Sequence, residues 1–400
     1  MEFIREQTKK KPINKKKLIK KIAVCAGCVC VFAALIYTAV QARELGDSEQ
    51  TLNSDVESTE STELPEAKIE LTPDINLTIS DYQSLQNALY EIGANVNTAI
   101  VTISAETSED DWMEESYEVE WQIAGVIVAQ DNDYIYILTE MRAIEDLSNV
   151  KVVFVDEASA KATLLQSDKS TGMAVLAVEK RLMQIETRRA ITIGQFGDSD
   201  TIPSGTVIIA LGSPLGTNYA ILSGNVTSVD HRISMKDKNY TILTTDMITS
   251  RNGSGVLVDI NSEIVGIMMQ SFAGSEEVGA LTAVSVNDVK AMVDAMINGK
   301  ERAYIGLYVS TVTDVISKEH NIPQGVFVKS VETESPAMKA GIQSGDVIIQ
   351  INDTRIRTDA DFSKKIEKLI PGTSCEIKVK RQSGDIYYDV TCEVEIGIVE

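Results

Sequence analysis

The stretch "TTDMITSRNGSGVLV" (Thr244 to Val258) sets Ser254 between Gly253 and Gly255, after a polar approach and before an apolar run. A serine so placed is the residue type for acyl transfer: its oxygen attacks a carbonyl while backbone N–H groups of a tight turn receive the developing oxyanion. The hydroxyl needs a base to take its proton, because it is a poor nucleophile while protonated. The 400 residues hold two histidines, His231 in "SVDHRISMKD" and His320 in "ISKEHNIPQG". A lone histidine in such a polar stretch is ordinarily a solvated surface residue. The other reading of Ser254 is a small residue filling a glycine turn. Two separated histidines and scattered cysteines lack ligand spacing, so no metal is expected. No phosphate-cradling glycine loop precedes a helix, and no cofactor is expected.

The elements that must position Ser254 are strands. "TAIVTI", "WQIAGVIVA", "YIYILT", "VKVVFV", "MAVLAV", "GTVIIALG", "YTILTTD", "GVLVDI" and "EIVGIMM" are short β-branched runs separated by Gly, Asn, Asp and Ser clusters between Ala99 and Met269. With no helix of comparable strength among them, they predict an all-β barrel or sandwich. "SDYQSLQNALYEIG" (Ser80 to Gly93) precedes them with helical spacing, a Ser80–Gln83 capping pattern and Gly93 as a stop. "VSVNDVKAMVDAMINGK" (Val284 to Lys300) follows them as a second helix closed by Gly299. The composition, 44% apolar and 24% charged, is ordinary for a globular chain of two or three domains.

The N-terminal segment reads differently. A basic block, "KKKPINKKKLIKK" (Lys9 to Lys21), runs into 19 uncharged residues, Ile22 to Val40. That is close to the ~20 residues a spanning helix needs, and the flanking charge places the N-terminus in the cytoplasm. A cleaved signal peptide ending near "VQA" is the alternative. Residues 42–79 are rich in Glu, Ser, Thr and Asp and predict an extended acidic linker. Nine of the 37 basic residues but only Glu2 and Glu6 of the 59 acidic ones precede Gln41, which leaves 28 basic against 57 acidic residues beyond it. That field argues against nucleic acid as a partner.

The last hundred residues carry "SPAMKAGIQSGDVIIQIN" (Ser335 to Asn352): a short helix, a Gly341 stop, a tight turn and a buried strand. This resembles a PDZ domain. The resemblance implies that "YIGL" (Tyr304, Ile305, Gly306, Leu307) is the carboxylate-binding loop and that "DADFSKKIEKLI" (Asp359 to Ile370, including Ile366) walls the peptide groove. Peptides or protein C-termini are then the expected ligands, held by exposed N–H groups and added as a strand. If Ser383–Gly384 is the turn of the last hairpin, Cys375 lies opposite Cys392 on a non-hydrogen-bonded pair, within reach of a disulfide. Two reduced neighbouring thiols are the alternative.

Anchor, linker, β unit and PDZ-like unit in that order resemble the HtrA (Deg) family of trypsin-like proteases, over roughly Asp81 to the C-terminus. "IGQFGDSDTIPSGTVIIALGSPLG" (Ile193 to Gly216), "GNVTSV" (Gly224 to Val229) and the nucleophile loop, with Asp246 eight residues before Ser254, carry the resemblance. It implies a trypsin-type double β-barrel followed by an α+β PDZ domain, so the whole is mainly β with an N-terminal transmembrane helix. The domains are then 1–21 basic tail, 22–41 anchor, 42–79 linker, 80–300 protease-like domain and 301–400 PDZ domain. In the family a histidine stands where "YILTEMRAI" places Arg142, and an aspartate where "STGMAVLAV" places Gly172. A guanidinium stays protonated and cannot accept the serine proton, and glycine has no side chain to orient a base. The oxyanion loop reads Asn252–Gly253–Ser254–Gly255–Val256, with asparagine in place of a glycine and one residue lost. A serine–lysine dyad is another known chemistry, but no lysine lies in the segments that would face Ser254. The expectation is a proteolytically silent, membrane-tethered, outward-facing protein that binds peptides in envelope quality control or scaffolding. A working serine endopeptidase with a base not evident in the sequence is the alternative. The resemblance further implies homotrimers, with active paralogues of the family as candidate partners.

Overall fold

The β-branched runs pair into two closed barrels. The computed structural model describes residues 77–105, 121–141, 150–250, 252–269, 278–384 and 386–399. The basic block, the apolar run, most of the acidic linker and Arg142 lie outside the described residues. Among the described residues no helix is long and apolar enough to cross a membrane.

The first barrel closes in the order β1-β2-β3-β6-β5-β4. Its strands are β1 (Ile100–Ala105), β2 (Trp121–Gln130), β3 (Tyr134–Glu140), β4 (Val150–Val153), β5 (Ser159–Asp168) and β6 (Met173–Glu179). Inward side chains such as Ile103, Ile127, Ile137, Leu176 and Val178 are fully buried and form its core. Barrel closure removes the unpaired edges that these hydrophobic strands would otherwise present.

A short helix α2 (Ile185–Ala190) and strand β7 (Gln195–Phe196) lead to the second barrel. Strands β8 (Val207–Ser213), β9 (Ala220–Met235), β10 (Lys238–Ser250), β11 (Ser254–Val258), β12 (Glu263–Met268) and β13 (Val278–Ser285) close through the β11–β12 pairing, and β7 adds in parallel beside β12. Helix α3 (Val286–Ile297) buries Val289, Met292, Val293 and Met296, and Gly299 follows with φ +61°, as expected of a helix stop.

The first helix, α1 (Ile79–Val96), departs from its sequence reading at both ends. Its capping box is Thr78 with Asp81, not Ser80 with Gln83. It also runs through Gly93, where a Cβ would stand 2.7 Å from Ile221 Cγ2. The glycine serves close approach of α1 to β9 and does not end the helix.

The third unit has the sheet order β15-β16-β17-β19-β20, with β18 (Thr354–Arg355) beside β17. The strands are β15 (Leu307–Thr311), β16 (Val326–Val331), β17 (Val347–Ile351), β19 (Ser374–Ser383) and β20 (Ile386–Glu395). A separate two-stranded pairing joins β14 (Ala303–Tyr304) to β21 (Gly397–Ile398). Helices α4 (Asp314–His320), α5 (Pro336–Lys339) and α6 (Asp359–Ile366) complete it. Ser335 caps α5, Gly341 takes φ +82°, and Asp346 is gripped by Arg381 Nε at 2.8 Å and Nη2 at 2.7 Å.

The cysteine pairing needs correction. Ser383 pairs with Ile386, so the hairpin connection is 384–385 and the register moves by two residues. Cys375 therefore faces Val394, and Cys392 faces Ile377. Both cysteines are free, buried thiols.

Candidate functional site

Ser254 opens β11, where it pairs with Ser213 of β8, and Gly255 pairs with Gly212. Gly255 has φ +135°, and a Cβ there would stand 1.9 Å from the Leu211 carbonyl oxygen, so only glycine lets β11 lie this close to β8. The serine is 1% exposed, and its Oγ accepts a hydrogen bond from the Ala124 N–H at 2.9 Å. That bond engages the oxygen lone pair and does nothing to draw the proton away. The void beside it, about 10 Å³, has room for no more than one water molecule. In the preceding loop the Gly253 N–H donates to the Ser250 carbonyl at 2.9 Å. The N–H of Gly253, expected in the oxyanion loop, is thus bonded within its own turn.

Gly172 ends the turn after β5 with φ +76°. Its N–H donates to Asp168 O at 2.8 Å, and its carbonyl accepts from the Met141 N–H at 2.7 Å. The backbone next to position 142 therefore meets Gly172, while the side chain of Arg142 lies outside the described residues. His231 is exposed on β9 opposite Ile242, and His320 is exposed at the end of α4. Asp246 accepts from the Asn225 N–H and Nδ2, and these bonds hold its carboxyl below the ordinary range.

The segment Tyr304–Leu307 forms a loop between β14 and β15 whose N–H groups converge. Gly306 has φ +86°, and a Cβ there would press on Ser335 at 2.4 Å. The converging donors are filled by the carboxylate of Asp237, from the tip of the β9–β10 hairpin. Ile305 N donates to Oδ2 at 2.8 Å, Leu307 N to Oδ1 at 2.8 Å, and Gly306 N to Oδ2 and Oδ1 at 2.9 and 3.1 Å. Burial pushes the Asp237 carboxyl up against the opposing pull of these donors. Ile366, expected on the groove wall, is 2% exposed and packs in the core of this unit.

The model of the trypsin-like peptidase domain matches residues 124–267, and that of the PDZ domain matches residues 303–392. The chain is 30% identical over 280 residues to the serine protease Do-like HtrB of Bacillus subtilis (strain 168), covering 65% of this chain and 59% of that protein. It is 29% identical to the same organism's serine protease Do-like HtrA, covering 66% and 61%. Among solved structures, the HtrA-type protease AlgW with decapeptide superposes with a TM-score of 0.57 at 20% identity, over 78% of this chain and 98% of that one. The chain thus carries a trypsin-like peptidase domain followed by a PDZ domain and is similar to serine proteases of the HtrA type. It spans about three-fifths of the length of the curated relatives it matches.

Set against the HtrA pattern, the structure brings Ser254, Asn252 and Gly253 together at the mouth of β11 and leaves both histidines elsewhere. Sequence reasoning missed two residues. Glu140, the last residue of β3, is 5% exposed and lines the same small void as Ser254. A carboxylate closing a largely apolar strand is the available signal. Asp237 was missed because nothing local marks it: the groups it meets lie 68 to 70 residues away.

Proposed function

We propose that this HtrA-like chain is proteolytically silent and works as a peptide-binding protein through its PDZ domain. The observation that carries the reading is the state of Ser254. Its hydroxyl is buried against a void of about 10 Å³, accepts from the Ala124 N–H, and follows a loop amide already bonded to Ser250. The sequence adds Arg142 and Gly172 where the family has its base and the residue that orients it. A hydroxyl whose family base is replaced by a permanently protonated arginine is not activated by that position for acyl transfer, and loss of one member of such a triad removes most of the rate. A larger cleft, about 550 Å³, lies instead at the boundary with the PDZ domain, between Asp168, Tyr240 and Met292 on one side and Tyr304 and Glu367 on the other.

Incubation of the chain with unfolded casein, beside Ser254→Ala, tests this reading. The expected result is no cleavage by either and no labelling by a fluorophosphonate. Cleavage that the substitution abolishes would overturn it. The second reading, an active endopeptidase, is favoured by the Glu140 carboxylate in the serine's void, since a carboxylate can act as a general base. Its signature is activity lost in Glu140→Gln as well as in Ser254→Ala. Membrane anchorage through residues 22–41, an extracytoplasmic place in protein quality control and a homotrimeric assembly belong to the same proposal. Membrane fractionation and native mass check them, and a soluble monomer would remove both anchor and trimer.

A further inference from the structure

We infer that Asp237 is a tethered ligand of the PDZ groove, so that an external C-terminal carboxylate binds by displacing the tip of the β9–β10 hairpin. The inference rests on the reading that this groove takes peptide C-termini.

The hairpin presents the chemistry of a chain end. Met235 pairs with Lys238, which leaves Lys236 and Asp237 as a two-residue tip, with Asp237 at φ +59°. The side-chain carboxylate takes the three loop N–H groups of Ile305, Gly306 and Leu307. The backbone N–H of the same residue donates to the Leu307 carbonyl at 2.8 Å, the first bond that an added strand would make to β15. From the helix side, the Ser363 hydroxyl of α6 donates to the Asp237 carbonyl at 3.1 Å. Asp237 thus meets the loop, the strand and the helix of the groove at once.

The flanks of the hairpin are held as well. Ser234 Oγ and Asn239 Nδ2 both donate to the Val309 carbonyl at 3.2 Å, so side chains satisfy an acceptor further along β15. Arg232 and Asn239 reach Asp359 at the start of α6 at 2.8 and 2.6 Å, Lys238 pairs with Glu367, and Lys236 pairs with Glu332 at 3.0 Å. An external peptide must therefore replace a carboxylate, a strand-type N–H and a set of ion pairs already in place. A tethered competitor acts at an effective concentration of order millimolar. With the tip docked in roughly 90% of molecules, the apparent Kd of an external peptide is about tenfold above its intrinsic value.

The test uses the whole chain and fluorescein-labelled decapeptides ending in Val, Phe or Ala, each with a free or an amidated C-terminus, read by anisotropy. Asp237→Ala is expected to lower the Kd for free-acid peptides by about tenfold or more, with little change for the amidated ones. Equal Kd values for the substituted and unsubstituted chains, with free acids still preferred over amides, would sink the tethered ligand while leaving C-terminal binding intact. Equal binding of acids and amides by Asp237→Ala would sink the peptide reading, and the inference with it. Hydrogen exchange on the unsubstituted chain covers the case in which the variant does not fold. Saturating free-acid peptide should speed exchange at the Asp237 amide while Ile305–Leu307 stay protected, and an unchanged Asp237 amide would overturn displacement.

Discussion

At the scale of single residues, Cys375 and Cys392 show how a small error in a turn propagates. Serine–glycine is a plausible hairpin turn, and choosing it places two thiols face to face. The chain instead turns one residue later, which slides the partner strand by two positions and seats Cys375 opposite Val394. Burial pushes the Cys375 thiol up to about 11 and raises that of Cys392 as well. The thiolate is the reactive form, so both should resist iodoacetamide at pH 7 to 8 in the folded chain and react once it is unfolded. Intact mass should not change with reductant; a gain of two hydrogens would restore the bridge. Ser254 gives the converse lesson, since its type and flanking glycines are plain in sequence while its burial and its bond to Ala124 are not.

At the scale of elements, most of the architecture was legible. The β-branched runs punctuated by small residues became the barrel strands, and the motif from Ser335 to Asn352 became α5, its stop and β17, because each signal is local. What stayed hidden is non-local: the glycine in α1 is set by Ile221 on β9, and the carboxylate that fills the PDZ loop comes from another domain. Gly255 is the sharpest element-level constraint. A Cβ there meets backbone at 1.9 Å and the φ is +135°. Gly255→Ala should therefore cost roughly 2–4 kcal/mol by overpacking and backbone strain together. Thermal unfolding would measure it, and an unchanged midpoint would mean that β11 and β8 are less closely apposed.

At the scale of the whole molecule, the first barrel and the PDZ domain are tied by Arg302 and Asp168, at 2.5 Å, with the carboxylate 2% exposed. Burial alone would raise the Asp168 carboxyl, but the Arg302 charge, the Ser170 hydroxyl and the Thr171 N–H outweigh it and hold it below the ordinary value of 3.8. A carboxyl depressed in the folded state adds stability above its unfolded pKa, and that stability is lost as pH falls through the folded value. Arg302→Ala strands a buried carboxylate and should cost about 3 kcal/mol at pH 7. In urea titrations the difference from the unsubstituted chain should shrink below about pH 4; a difference that grows on acidification would contradict the pairing. The filled carboxylate loop has a colloidal consequence too. Beyond Gln41 the chain carries 57 acidic residues, and a vacant cradle of three amide donors would be an adhesive spot for the acidic side chains of neighbouring copies. With Asp237 seated, those three donors are satisfied within the chain and are closed to a neighbour's carboxylate.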